Sequence, residues 1–425
     1  MQNSNNNRNP AFVLTLLFPF LGLILSLANW RKSWAKNVFW LACIYMGAVQ
    51  IFQPEGTMLG TGRDAGRYVM DLIEMHDNVQ SFSEVTSTFF DGRTNDIFQP
   101  TLTFLVSRFT DNGHVLFFFL AIIFGFFYSR NVWYVLEKLP DRIPSGIWLL
   151  IACFFLVCPI WAINGFRMWT ALHVFIYGAL PFALEGKKDK LVWSFLSVLV
   201  HSSFIIVIVI LGIYILLAKP IKRSSWVLTT LFIIYIISLT IKTINITAIA
   251  NILGNYLPDY YDYRVGAYMS DEVVELGKET SARQSAYIGI LSNLKYWAVQ
   301  IFIILSYVNV IRNKNSGKWL IPLFSFALLL YSFANIASLV PSGGRFSYVA
   351  QMLMVPVFLL NFTHFPIIKE KWLLSSALFF LAIALLFDIR SAFDYYGITL
   401  IMGNFITMFF WESNVPLMDY IKQIL

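Results

Sequence analysis

Residues 191–218 read LVWSFLSVLVHSSFIIVIVILGIYILLA and lie between two basic loops, EGKKDK (185–190) and KPIKR (219–223). Short loops rich in Lys and Arg stay in the cytoplasm. A single crossing of 191–218 would put the second basic loop outside. A hairpin turning at HSS, 201–203, keeps both loops on one side. Its arms are short, with 10 residues before His201 and 15 after Ser203. At 1.5 Å per residue the first arm reaches only ~15 Å. The stretch therefore reads as a re-entrant or tilted hairpin with His201 at the outer turn. Backbone turns at membrane depth only where protein or a water-filled cavity covers it, so a cavity is expected beside His201.

The rest of the chain agrees with a membrane setting. It has 425 residues, 58% hydrophobic and 13% charged, with a mean hydropathy of +0.65. A soluble domain carries about 25% charged residues. Apolar runs fall near 11–30, 37–53, 114–129, 147–163, 168–184, 226–244, 286–310, 319–339, 346–362 and 373–387. With the hairpin this predicts an all-α polytopic bundle of about 10–12 transmembrane helices, a single membrane domain over 1–425. The net charge of +7 records loop topology rather than a nucleic-acid partner. Cys43, Cys153 and Cys158 all sit in apolar segments, which gives no disulfide framework or zinc pattern.

The loops RKSWAK (31–36), RNKNSGK (312–318), KEK (369–371) and the segment RNVWYVLEKLPDR (130–142) join the two basic loops on the cytoplasmic side. Two long loops, 54–113 and 245–285, then fall outside. The first is expected to carry amphipathic helices, at DAGRYVMDL (64–72) with Asp64 as cap, and at FQPTLTFLVSRF (98–109). The C-terminal 388–425 is interrupted by Gly403 and Asn404 and reads as a re-entrant or interfacial segment.

This topology collects chemistry at one depth. Arg167 in INGFRMWTALHVF (163–175) and Arg345 in PSGGRFSYVAQ (341–351) both lie at outer span ends. Asp64 and Arg67 open the first long loop, and His201 sits at the hairpin turn. An arginine near hydrocarbon costs at least ~2.5–3.5 kcal/mol on insertion scales. Each residue also has a plain structural reading: a snorkelling arginine, a turn histidine, a helix cap. Lys295 is the chief charge within the main spans. No GxxxxGK[ST], HExxH or GxSxG pattern occurs, and the acids of the first long loop face mixed directions, so neither cofactor nor metal is expected.

The pieces DAGRYVMDL, FQPTLTFLVSRF, NGFRMWTALHVFIYGA, LSVLVHSSFIIVIVIL and GGRFSYVAQMLMV occur in that order between about residue 60 and residue 350. In that order and spacing the chain resembles the EpsG/Wzy type of bacterial polysaccharide polymerase, a multi-pass fold that is GT-C-like in the broad sense. One departure is Gln99–Pro100, where the family usually has Glu-Pro; Gln99 cannot act as a base. The resemblance implies joining of undecaprenyl-diphosphate-linked oligosaccharide repeat units at the periplasmic face of the inner membrane. The lipid diphosphate would be the leaving group, and no metal would be needed. It further implies Arg167, Arg345 and Arg67 as diphosphate ligands, His201 or Asp64 as catalytic base, and Tyr68, Tyr348 and Trp169 against the substrate. A chain-length regulator protein and membrane lipid would be the partners. Neighbouring readings are an O-antigen ligase, a glycosyltransferase using a lipid-phosphate sugar, and a flippase or transporter.

Overall fold

The computed structural model describes residues 8–53, 63–90, 96–223, 225–244, 286–313, 317–367, 369–411 and 413–424. The expected second long loop, 245–285, lies outside the described residues, as do 54–62 and 91–95 of the first. Among the described residues the chain is helical, with no strand. A lone antiparallel bridge joins Gln50 to Tyr396.

Among the described residues, six helical stretches are long and apolar enough to cross a membrane: Gly113–Leu136, Ile147–Glu185, Gly289–Arg312, Lys318–Ala337, Gly343–His364 and Lys371–Ala392. Shorter apolar helices cover Pro19–Ala28, Phe204–Leu217 and Trp226–Thr240. The protein is a polytopic helical membrane protein. The apolar run at 11–30 is not one rod. It breaks into α1 (Arg8–Leu17) and α2 (Pro19–Ala28), because Pro19 has no N–H to continue the ladder. α3 (Ala35–Ala48) packs along α7 (Gly113–Leu136). A methyl on Gly47 would lie 2.4 Å from the Ala121 Cβ, so small residues bring these backbones together. α7 runs seven residues past the expected span end at 129 and takes part of the basic segment 130–142 into the helix. The reason is apolar burial: Val132, Trp133, Val135 and Leu136 are all within the core.

Between α3 and α7 the first long loop forms α4 (Asp64–Asn78), α5 (Phe82–Phe90) and α6 (Phe98–Ser107). α8 (Ile147–Val157) is followed by a 3₁₀ turn at Ile160–Gly165 and then α9 (Phe166–Glu185). The decisive stretch folds as α10 (Leu191–Val200), a turn at 201–203, and α11 (Phe204–Arg223). α12 (Ser225–Thr240), α13 (Ala286–Arg312), α14 (Ile321–Ala337), α15 (Phe346–His364) and α16 (Lys371–Ala392) complete the bundle. The C-terminal segment then folds back over the ends of α3 and α7. The Ile51 amide donates to the Tyr395 carbonyl at 3.0 Å, and Asn112 Nδ2 donates to the Phe409 carbonyl at 3.1 Å.

Ion pairs tie several of the basic loops together. Arg31 meets Asp141 at 3.2 Å, Lys36 meets Glu137 at 3.1 Å, and Arg312 meets Glu370 at 2.6 Å. Lys138 also pairs with Glu185 at the C-terminus of α9. Such surface pairs add little stability, but they gather the basic loops at one end. α9 starts at Phe166 and ends at Glu185. It is therefore ~30 Å long, and Arg167 lies at the far end from those loops.

Candidate active site

Asn164 and Gly165 close the 3₁₀ turn that launches α9. Asn164 Oδ1 accepts a hydrogen bond from the Ala65 amide at 3.2 Å and so caps α4 from another part of the chain. This corrects the expected role of Asp64 as cap. Arg63 occupies the N-cap position, Asp64 is the first helical residue, and its carboxylate pairs with Arg67 one turn on.

Arg167, on the first turn of α9, is held on two sides. Its Nε donates to the Tyr68 hydroxyl at 3.3 Å, and its Nη1 donates to Asp96 Oδ2 at 3.1 Å. Asp96 is only 4% exposed. Its other oxygen, Oδ1, accepts the Ser202 amide at 2.8 Å. One buried carboxylate thus joins α9 to the turn of the hairpin. Burial first, against the opposing pull of Arg167, raises the Tyr68 hydroxyl above its ordinary pKa, so it stays protonated.

His201 ends α10 in an extended conformation. The Ser203 amide approaches His201 Nδ1 at 3.2 Å and the Ser203 hydroxyl at 2.9 Å. A backbone N–H can only donate, so Nδ1 accepts. The neutral ring then carries its proton on Nε2. Burial chiefly lowers the imidazole pKa; Arg167 and Arg345 push the same way and Asp96 opposes them. A neutral ring with Nδ1 engaged offers a donor at Nε2, not a lone pair.

Arg345 stands at the end of a 3₁₀ turn, Gly343–Arg345, that leads into α15. Ser342 before it is left-handed, at φ 64°. A Cβ on Gly343 would sit 1.8 Å from the Ala337 carbonyl oxygen, so only glycine fits there. The Arg345 guanidinium has no hydrogen bond or ion pair among the described residues. One turn on, the Tyr348 ring meets Trp169 edge-on, with centroids 5.0 Å apart at 70°.

These residues converge. A cleft of about 330 Å³ is lined by Asp64, Tyr68, Arg167, Trp169, His201, Arg345 and Tyr348, which come from α4, α9, the hairpin turn and the α14–α15 connection. Arg67 is not among its walls; its side chain is 66% exposed. Lys295 and Asp388 also line the cleft, with Nζ to Oδ2 at 2.6 Å. Three residues with parts in this architecture were not singled out from sequence: Asp96, Asn164 and Asp388. Gln99, where a family carboxylate was missing, donates to Asp71 Oδ2 at 3.1 Å. Among the described residues no group of three His, Cys, Asp or Glu side chains is placed to hold a metal ion.

A bundle of apolar helices with a cleft of cations, hydroxyls and aromatic rings at the end of α9 away from Glu185 defines a polytopic membrane protein with a polar cleft. The EpsG family model matches residues 49–400, more than half the chain, and the protein belongs to the EpsG family. It is thereby a polysaccharide-polymerase-like membrane protein. No curated protein and no solved structure matches the chain.

Proposed function

We propose that the protein polymerises oligosaccharide repeat units carried on a polyprenyl diphosphate such as undecaprenyl diphosphate, at the periplasmic face of the bacterial inner membrane. The observation that carries this reading is the meeting of Arg167, Arg345, His201 and Tyr68 in one cleft, at the end of α9 opposite the basic loops. Basic loops mark the cytoplasmic side, and this supports a periplasmic cleft.

The chemistry follows from the charges. An acceptor hydroxyl oxygen attacks the anomeric carbon of the donor sugar, and the bond from that carbon to the diphosphate oxygen breaks. Negative charge grows on the departing diphosphate. Arginine stays charged and forks onto phosphate oxygens. Arg345, with no protein partner among the described residues, and Arg167, fixed by Asp96 and Tyr68, supply that charge where it develops. His201 adds a neutral Nε2–H donor beside them. Trp169 and Tyr348 offer apolar ring surface to sugars, and Asp64 holds Arg67 at the rim. The polyprenyl tail lies among the helices with its headgroup entering from the side. A chain-length regulator is the expected protein partner.

The test is incubation of the purified full chain with a synthetic lipid-diphosphate repeat unit. A ladder of products is expected, lost in Arg167→Ala and Arg345→Ala. A single transfer to a different acceptor, without a ladder, would point to a ligase. Full activity in both arginine variants would overturn the diphosphate clamp.

A further inference from the structure

Lys295 and Asp388 are charges on two membrane helices, α13 and α16, side by side and only 19% and 25% exposed. Charged side chains at such positions are costly and face a wet interior, and both of these line the cleft. A pair serving only to tie two helices is replaceable by apolar packing. The placement of this one says more. Lys295 Nζ engages Asp388 Oδ2 alone, and Oδ1 carries no hydrogen bond among the described residues. Ser391, Tyr348 and Tyr395 also line the cleft and add hydroxyls to it; the Ser391 hydroxyl donates to the Asp388 carbonyl at 2.7 Å.

Of the other side chains that could accept a proton, two are occupied and the third stands on the loop helix α4. His201 Nδ1 takes the Ser203 amide. Asp64 gives Oδ1 to Arg67 and keeps Oδ2 free among the described residues, but its partner is 66% exposed, so that pair faces solvent more than the membrane-helix pair does. Asp96 spends both oxygens on Arg167 and Ser202 and does not line the cleft. A carboxylate facing the cleft would repel a diphosphate, so the Lys295–Asp388 wall suits a neutral, hydroxyl-rich ligand instead. A sugar acceptor is such a ligand.

We propose that Asp388, oriented by Lys295, binds the acceptor sugar hydroxyl and receives its proton; this rests on the polymerase reading above. In the step, the hydroxyl proton passes to Asp388 Oδ1 as the oxygen bonds to the anomeric carbon. The electron pair of the broken anomeric C–O bond leaves with the diphosphate, opposite Arg167 and Arg345. The carboxylic acid then returns its proton to water. Lys295 is the positioning residue and keeps its charge throughout.

The test uses the full-length protein and two variants. Asp388→Asn keeps the shape and an accepting oxygen but cannot take a proton. The double variant Lys295→Met with Asp388→Leu removes both charges together, so neither is left unpaired. Two quantities are read: binding of the bare polyprenyl diphosphate, without sugar, and the rate of ladder formation from the repeat unit. The double variant is expected to bind the bare lipid diphosphate within about twofold of wild type and Asp388→Asn at least as tightly as wild type, while ladder formation falls at least ~100-fold in both. Ladder formation within a few-fold of wild type in either variant would overturn the proposal and leave the pair as a helix tie. So would loss of bare lipid diphosphate binding in the double variant, which would put the pair in the diphosphate site. Failure of the wild-type protein to make any ladder would refute the polymerase reading itself, a result distinguishable from these.

Discussion

The two walls of the cleft carry charge in opposite ways. On the α9 wall the partner of Arg167 stands behind it: Asp96 is 4% exposed and does not line the cleft. On the α13–α16 wall both members of the pair, Lys295 and Asp388, line the cleft side by side. The first arrangement presents a cation to a ligand, and the second presents a carboxylate together with its cation. A transfer reaction needs both, one for a leaving diphosphate and one for an arriving hydroxyl. Arg345 is a third case, a cation without a partner among the described residues on a turn of its own.

The contrast between the partnered and the unpartnered arginine gives the largest expected effects. Arg167→Ala and Arg345→Ala should each lower ladder formation by roughly 10²–10³-fold, the usual cost of losing one charge-stabilising group. Their stabilities should differ. Arg167→Ala strands the buried Asp96 carboxylate and should destabilise the fold by ~2–3 kcal/mol. Arg345→Ala strands nothing and should unfold with the wild type. Thermal unfolding in detergent checks this. Equal midpoints for the two variants would break the comparison between the walls.

Asp96→Asn sharpens it. The amide oxygen can still accept the Ser202 amide, while the charge opposite Arg167 is gone. Ladder formation should fall roughly 30-fold, because a shifted guanidinium misplaces the leaving group. The His201 titration should move as well. Burial, Arg167 and Arg345 lower its pKa and Asp96 raises it. Removing the Asp96 charge therefore shifts the titration to lower pH, and Arg345→Ala shifts it to higher pH. NMR of the labelled imidazole reads both directions. No movement in either variant would show that Asp96 and Arg345 do not act on the ring.

A smaller effect is expected at His201. Glutamine keeps an N–H donor and has no basic nitrogen. His201→Gln should retain activity within about 3–5-fold of wild type, while His201→Phe should lose ~100-fold. A glutamine variant as inactive as the phenylalanine one would restore a proton-accepting role to the ring.

Much of this architecture was legible because charge in an apolar context is conspicuous. Arg167, Arg345 and His201 stood out from the sequence for that reason, and the hairpin turn followed from two basic loops and a run too long for one crossing. Lys295 stood out too, but its partner lies 93 residues away. Asp96 was hidden more completely. Its partners are 71 and 106 residues distant, and its own stretch, NDIFQP (95–100), reads as loop. Asn164 caps a helix by accepting from Ala65, 99 residues before it. Single-sequence reading detects the cost of a charge; it does not detect which distant backbone will meet it. The helical extension of α7 was legible in principle, since Val132, Val135 and Leu136 continue its apolar face. The basic residues in the same segment outweighed them.

The smallest expected effect concerns the turn that carries the unpartnered arginine. Ser342 holds a left-handed backbone, φ 64°, which costs a non-glycine residue ~1–2 kcal/mol. Ser342→Gly removes that strain. It also loosens the unfolded chain, which takes back ~0.5–1 kcal/mol. The net stabilisation should be at most ~1 kcal/mol, with ladder formation unchanged if Gly343 and the Ala337 carbonyl alone fix the turn. A side chain at Gly343 would meet the Ala337 carbonyl, so the glycine keeps the turn close against the end of α14. A Ser342→Gly protein that is more stable but several-fold slower would show that the serine conformation itself aims Arg345 at the leaving group. The free arginine would then be held by backbone strain, as Arg167 is held by Asp96.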